Sequence, residues 1–334
     1  MVPGLLPGLV DSTLVAIGSP SPAALPGVRT DAAVEVTDLR KAYGGGPTVL
    51  DGLSFRAERG RVTALLGPNG AGKTTTVGIC EGLRRPDSGT VRVLGLDPVA
   101  DAARLRPRVG VMLQDGGLPS GVGALEALRH LAGLHTHPLN VDALAERLGL
   151  TSFARTRVRR LSGGQRQRLA TACALVGRPE LVFLDEPSAG LDPQARLAVW
   201  DVVREVRAAG VAVVLTTHLM EEAERLADEV VVVDHGRVVA TGSPDALTRG
   251  PASLTFRSRP ALDTRSLARA LPVGAEVAEA EPGRYLVSGI EVDPRVVATV
   301  TNWCASHDVL AEGVGPVRRT LEDVFLDLTG RTLR

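Results

Sequence analysis

The chain has 334 residues, 44% of them hydrophobic, and a mean hydropathy of +0.11. That is enough apolar material for a sizeable core, arranged as two domains or as one large and one small, and it excludes wholesale disorder. Thirty-eight basic residues balance 38 acidic ones and aromatics are only 3%, so nothing draws the whole protein toward nucleic acid or an anionic membrane, and no platform exists for stacking a run of bases.

Residues 1–31 are mildly apolar but lack a basic leader and are broken by Pro3, Pro7, Pro20, Pro22 and Pro26. They read as a disordered tail rather than a signal peptide. Val34, Val36 and Leu39 predict a short alternating strand, and Leu50, Leu53 and Phe55 a second one after the turn at Gly44-Gly45-Gly46. Arg61–Leu66 is a compact apolar strand ending in glycine. Pro86-Asp87-Ser88-Gly89 predicts a turn and Thr90–Leu94 the next strand. Residues 124–150 carry Leu and Ala at helical spacing. Apolar strands follow at 181–184, 211–215, 230–233 and 237–240. Helix-like stretches separate the first three, which predicts crossover connections in a mainly parallel sheet. Gly250-Pro251 marks a boundary, giving units at 32–250 and 251–334. In the second, Leu254 with Phe256 and Tyr285–Val287 predict strands. Asp293-Pro294 opens a helix whose face holds Val296, Val300, Trp303 and Cys304. A last helix starts at Thr320, presents Leu321, Val324, Phe325 and Leu328, and stops at Gly330. No apolar run reaches the ~18 residues of a membrane span. Cys80, Cys173 and Cys304 have neither zinc-type nor disulfide-framework spacing, which makes a reducing compartment the default.

Lys41 and Lys73 are the only lysines among 38 basic residues, so the place of Lys73 is informative. Gly67-Pro68-Asn69-Gly70-Ala71-Gly72-Lys73-Thr74 fits G-x-x-x-x-G-K-[ST] between a predicted strand and a predicted helix. The glycines let backbone N–H groups approach phosphate, the helix N-terminus adds its positive end, Lys73 reaches the β- and γ-phosphates, and the Thr74 hydroxyl binds Mg²⁺. The competing reading is a structural glycine turn. Leu181–Leu184 is an apolar strand ending in Asp185-Glu186. Asp185 is placed to hold Mg²⁺, directly or through water, and Glu186 to polarise an attacking water. Apolar-Asp-Glu alone is a weak signal, since strand ends often carry acids; the phosphate loop makes it strong. These two motifs leave kinase, GTPase and helicase open.

Leu161-Ser162-Gly163-Gly164-Gln165 narrows the field. With it the sequence resembles the ATP-binding-cassette (ABC) family over residues 33–245. The order is Tyr43, the phosphate loop, Gln114 in Val-Met-Leu-Gln, LSGGQ, Asp185-Glu186, Ser188-Ala189-Gly190-Leu191-Asp192, and His218 after Leu215-Thr216-Thr217. The resemblance implies an α/β fold, a P-loop NTPase domain with a mixed sheet core, an antiparallel β subdomain and a helical subdomain, followed by a small C-terminal α+β domain. It implies ATP and Mg²⁺, with Tyr43 and Val49 on the adenine. Residues 67–74 and Thr75 would lie around the phosphates, Gln114 in the metal or water shell, and His218 on the γ-phosphate beside Glu186. Ser162, Gly163, Gly164 and Gln165 would serve the ATP of a second copy, and Asp192 would line the dimer interface. With Lys73, Glu186, His218 and LSGGQ all intact, both sites of a homodimer should hydrolyse ATP.

Leu321–Arg331, Glu221-Glu222-Ala223-Glu224, and Gly236-Arg237 followed by Gly242-Ser243-Pro244 resemble ATPase subunits of bacterial drug- and antibiotic-resistance exporters of the daunorubicin type. That implies a separate membrane-spanning permease, a peripheral place on the cytoplasmic face of the membrane, and a drug, antibiotic or lipid-like substrate. An importer ATPase is the alternative; the mixed helix–strand character of 251–334 argues against it. A soluble ABC ATPase acting on nucleic acid or ribosomes is the second. A single cassette without a long coiled-coil insertion argues against that. Arg155, Arg157, Arg159, Arg160, Arg166 and Arg168 surround the signature without an acid. They are a contribution to the phosphate-side potential or to subunit contact, a nucleic-acid footprint, or a solvated face, the last being the expectation. Gly116-Gly117 and Gly121-Val122-Gly123 depart from the family pattern after Gln114, which bears on the docking of the permease and not on the ATP chemistry.

Overall fold

The structure, a computed structural model, describes residues 32–112, 118–249, 253–317 and 319–330. The expected tail, Gln114 and Gly116-Gly117 lie outside the described residues. The chain divides into two compact units between Pro244 and Asp245, slightly ahead of the Gly250-Pro251 break read from composition.

The first unit runs β1 (Ala32–Ala42), β2 (Thr48–Glu58), β3 (Val62–Leu66), α1 (Lys73–Cys80), β4 (Ser88–Val93), α2 (Ala102–Leu105) and β5 (Val109–Met112). It continues through α3 (Ala124–Ala132), α4 (Val141–Arg147), α5 (Gly163–Leu175), β6 (Leu181–Asp185), α6 (Pro193–Ala208), β7 (Ala212–Thr217), α7 (Met220–Leu226), β8 (Glu229–Asp234) and β9 (Arg237–Gly242). A short helix, α8 (Pro244–Leu247), follows at the division. Six strands form one sheet in the order β5-β6-β7-β3-β8-β9. The first five are parallel and β9 runs antiparallel to β8. β3, β6 and β7 are buried along their whole length, as continuous apolar runs are in a sheet covered on both faces. The edge strand β9 instead alternates between exposed and half-buried positions.

A separate antiparallel sheet has the order β2-β1-β4. Val34, Val36 and Leu39 of β1 pair with Ala57, Phe55 and Leu53 of β2. These residues share one apolar cluster with Leu65, Phe183, Val214 and Val231 of the large sheet and with Val77 and Ile79 of α1. Helix α1 therefore lies in the core that joins the two sheets; of its eight residues only Thr74 is exposed. The expected helical stretch 124–150 is two helices, α3 and α4, because α3 ends at Gly133 and Pro138 precedes the next start. Asn140 caps α4 by accepting from Ala143 N at 3.0 Å.

The second unit holds β10 (Ser253–Arg257), α9 (Thr264–Ala270), β11 (Glu276–Glu281), β12 (Arg284–Ser288), α10 (Pro294–Ser306), β13 (Glu312–Val317) and α11 (Leu321–Thr329). Its sheet is antiparallel, in the order β11-β12-β10-β13. Phe256 and Tyr285 are register partners whose rings stack at 5.1 Å. Val296, Val300, Trp303 and Cys304 of α10 join their core, and Asp293 caps that helix by accepting from Val296 N at 2.8 Å. In α11, Leu321, Val324 and Phe325 are buried, but Leu328 is 46% exposed and drops out of the expected apolar face. No helix of the described residues is long and apolar enough to cross a membrane.

Candidate functional site

Three neighbouring strands deliver the chemistry to one end of the sheet. β3 pairs with β7 so that Leu66 faces Thr217, and β6 pairs with β7 so that Asp185 faces Thr216. The phosphate loop after β3, Glu186 after β6 and His218 after β7 thus leave the same carboxyl edge, where ligands of parallel sheets bind.

The loop Gly67–Gly72 bends as only its residue types allow. Gly72 sits at φ +101°, and a Cβ there would lie 2.5 Å from Leu50 Cδ2 and 2.9 Å from the Val49 carbonyl oxygen. At Gly67 a Cβ would fall 2.2 Å from the Val233 carbonyl oxygen. Gly72 also precedes the first turn of α1, whose N–H groups have no acceptor within the helix. The side chain of Lys73 is buried and folds back over the loop. Its Nζ donates to the carbonyls of Gly67 at 2.7 Å and Pro68 at 3.1 Å and stands 3.8 Å from Glu186 Oε1. Burial pulls this ammonium below its ordinary value, against the opposing pull of Glu186 and Asp185.

Asp185 is buried and accepts from Thr216 Oγ1, and from Thr74 Oγ1 at 3.3 Å. Glu186 has φ +53°. For a non-glycine residue that conformation costs roughly 1–3 kcal/mol, which one or two fully buried core side chains offset at roughly 1.5–3 kcal/mol each. Three residues, Thr216, Gln167 and His218, hold it. Glu186 N donates to Thr216 O and to Thr216 Oγ1, both at 3.1 Å. Gln167 Nε2 donates to its carbonyl. His218 Nδ1 lies 2.5 Å from its Oε2. An ionised carboxylate only accepts, so the imidazole that meets it there carries its proton on Nδ1.

The structure brings Lys73, Thr74, Asp185, Glu186 and His218 together. Other expected residues stand apart from that cluster. Ser162 caps α5, accepting from Gln165 N at 3.2 Å, while Gln165 Oε1 accepts from Ser162 N at 3.0 Å. Ser162 and Gly163 are exposed, and Gly164 and Gln165 are half-buried. Among the described residues, no hydrogen bond of the Lys73, Thr74 or Asp185 side chain goes to residues 162–165. Asp192 caps α6, accepting from Ala195 N at 2.8 Å. Tyr43 is 42% exposed at the end of β1, and Val49 is half-buried at the start of β2. Pro68, Asn69, Gly70, Ala71 and Thr75 belong to the loop or to the first turn of α1.

Four residues join the site without an assigned role in the sequence reading. Thr216 bridges Asp185 and Glu186. Gln167 ties the signature helix to Glu186. Arg84 donates to Tyr43 Oη at 2.6 Å. Glu222 is fully buried and accepts from Trp200 Nε1 at 3.0 Å; burial raises its carboxyl above the ordinary range, against the hydrogen bonds offered by Thr217, Ser188 and Trp200. Gln167 and Arg84 carry no sequence signal, while Thr216 and Glu222 lie within quoted motifs. A cavity of about 490 Å³ opens in the second unit between Arg257, Arg259, Arg284, Glu281, Asp308 and Glu312; this mixed lining contains no catalytic constellation.

Residues 50–189 match the ABC transporter family model. The chain is 39% identical over 308 residues to a daunorubicin resistance ATP-binding protein, DrrA3, of Streptomyces coeruleorubidus, covering 90% of this chain and 96% of that one. It is 39% identical over 318 residues to a Nod factor export ATP-binding protein I of Ralstonia nicotianae, covering 92% and 97%. A solved ATP-binding subunit of an ABC transporter superposes with a TM-score of 0.59 at 30% identity, covering 65% of this chain and 92% of that chain. The expected fold class and ATPase activity are thereby borne out, and the chain belongs to the ABC transporter family as an ATP-binding subunit of the exporter type.

Proposed function

We propose that residues 32–250 bind and hydrolyse MgATP between two copies of this chain, and that the cycle drives export through a separate membrane-spanning permease. The observation that carries this reading is the hydrogen-bonded cluster of Thr74, Asp185, Glu186, Thr216 and His218 at one sheet edge, with Lys73 Nζ 3.8 Å from Glu186 Oε1. The glycine loop suits a phosphate chain, because its backbone at Gly70 (φ +82°) and Gly72 (φ +101°) leads into the start of α1, whose first N–H groups have no acceptor within the helix. The Thr74 hydroxyl and Asp185 carboxylate are hard oxygen donors suited to Mg²⁺, and Gln114 completes the proposed set. When bound, Mg²⁺ neutralises charge on the phosphate oxygens.

The remaining chemistry belongs to the chain. Lys73 withdraws from the loop carbonyls to pair with the β- and γ-phosphates. Glu186 accepts a hydrogen bond from a water and holds it in line with the γ-phosphorus. As the water oxygen bonds to phosphorus, the bond to the β–γ bridging oxygen breaks and the water proton passes to Glu186. A base so placed supplies roughly 10²–10⁴ in rate. His218 keeps the Glu186 carboxylate oriented through Nδ1 and, as the imidazolium in which both nitrogens are donors, donates from Nε2 to the γ-phosphate. Tyr43, with Val49, meets the adenine.

The signature of each copy serves the ATP of the other. The exposed Ser162-Gly163 start of α5 supports this, because a helix N-terminus attracts phosphate. Asp192 stands at the interface between copies. The substrate is a drug, an antibiotic or a lipid-like molecule, as the names of the daunorubicin and Nod-factor relatives suggest. The subunit works at the cytoplasmic face of the membrane, with residues 251–334 as an appended α+β domain and with no nucleic-acid partner. Glu186→Gln tests the chemistry: ATP should bind while turnover falls by about 10² or more, and normal turnover would refute the role.

A further inference from the structure

Helix α1 carries the phosphate loop at its start and an unexplained glycine in its last turn. Glycine inside a helix costs roughly 0.5–1 kcal/mol relative to alanine, so Gly78 needs a reason. A Cβ on Gly78 would lie 3.2 Å from both Cδ and Nε of Arg84 and 3.6 Å from its Cγ. The stem of Arg84 lies in the space the missing side chain leaves. The backbone repeats the link, since the N–H groups of Leu83 and Arg84 donate to Gly78 O at 2.9 and 3.0 Å. From this seat the Arg84 guanidinium donates to Tyr43 Oη at 2.6 Å, with its carbon 5.7 Å from the ring centroid. Lys41 Nζ also stands 5.4 Å from the ring centroid and is itself fixed to Asp87 at 2.7 Å. Tyr43 otherwise stands half in solvent at the mouth of the glycine turn.

We propose that Arg84, seated on α1 at Gly78, is a positioning residue for the nucleotide base: it ties the Tyr43 ring to the same helix that carries the phosphate loop. The proposal rests on the reading of Tyr43 as the adenine contact. Its consequence is geometric. Base platform and phosphate cradle become one piece, so ATP meets Tyr43 already oriented, and the cost of ordering an exposed ring is met before binding.

The chain has two tyrosines, which makes the link visible without nucleotide. Partial burial works against ionisation of Tyr43, but the hydrogen bonds from Arg84 and Thr75 and the charges of Arg84 and Lys41 outweigh it and hold the phenol below its ordinary value. Burial holds Tyr285 above its own. Ultraviolet titration of the full chain should therefore show Tyr43 ionising first. Arg84→Ala should move that first ionisation upward, raise the KM for ATP about fivefold with a much smaller change in kcat, and leave inhibition by inorganic tripolyphosphate unaltered. Arg84→Lys should recover part of the KM. Gly78→Ala, which improves helix propensity and leaves both partners in place, should raise KM without lowering the melting temperature. An unmoved first ionisation in Arg84→Ala overturns the proposal, as does an unchanged KM there when Tyr43→Ala raises it. If Tyr43→Ala itself leaves KM unchanged, the reading of Tyr43 beneath the proposal fails instead.

Discussion

Thr216→Val keeps the shape of a fully buried side chain and removes one hydroxyl. That hydroxyl donates to Asp185 Oδ1 and accepts from Glu186 N at 3.1 Å. Glu186 N keeps a second acceptor, Thr216 O at 3.1 Å, so the loss there is small. Among the described residues, Asp185 then keeps only the longer side-chain hydrogen bond from Thr74 Oγ1, at 3.3 Å. A net hydrogen bond to a charged group contributes about 1.5–3 kcal/mol, and stability should therefore fall by about 2 kcal/mol. The chain has two tryptophans. In a Trp303→Phe background, Trp200, buried on α6 of the first unit, becomes the sole reporter of urea unfolding there. The midpoint should move down with the slope unchanged. Because Asp185, proposed to hold Mg²⁺, loses the hydroxyl that fixes its carboxylate, kcat should also fall, by about tenfold, the ratio that ~1.4 kcal/mol makes. An unchanged midpoint together with an unchanged kcat would refute the idea that Thr216 braces the Asp185 carboxylate.

Lys73→Ala should abolish tight ATP binding, and an unaltered affinity by calorimetry would contradict the phosphate-loop assignment. Glu222→Gln should stabilise the protein selectively at higher pH. Burial raises the Glu222 carboxyl in the folded state, so folding retains a proton that the unfolded chain gives up near pH ~4.3. The native protein therefore loses stability as pH rises above that value, until it passes the folded-state value, and the glutamine variant should not. Parallel stability–pH curves for the two proteins would contradict the buried neutral acid. Deleting residues 251–334 should spare ATP binding and weaken pairing or permease coupling; loss of nucleotide binding would mean the first unit is not self-sufficient.

Local motifs were the legible part of this fold. β3, β6 and β7 announce themselves as short apolar runs, because strands buried on both faces have no polar side to show. The phosphate loop and Asp185-Glu186 end two of them. What escaped depends on contacts far apart in sequence. Thr216 reaches Asp185, Gln167 reaches Glu186 and Arg84 reaches Tyr43, each across a long separation. Only the sheet order, which sets β6 beside β7, makes Thr216 and Asp185 neighbours. The second unit was less legible for a different reason. β11 reads Glu-Val-Ala-Glu-Ala-Glu and is largely exposed, and β13 contains Gly313, Gly315 and Pro316. Both are strands because β12 and β10 supply ordered partners, not because of their own propensity. Leu328 matches the helical period of α11 yet lies outside, since periodicity marks a stripe but not how wide a surface covers it.

Association of two copies is the centre of the account, and sedimentation of Glu186→Gln measures it directly. With ATP and Mg²⁺, alone or beside its permease, the variant should sediment as a pair, and Ser162→Arg in the same background should leave it single. If Glu186→Gln binds ATP stoichiometrically and two copies never come together under either condition, the shared-nucleotide mechanism is wrong.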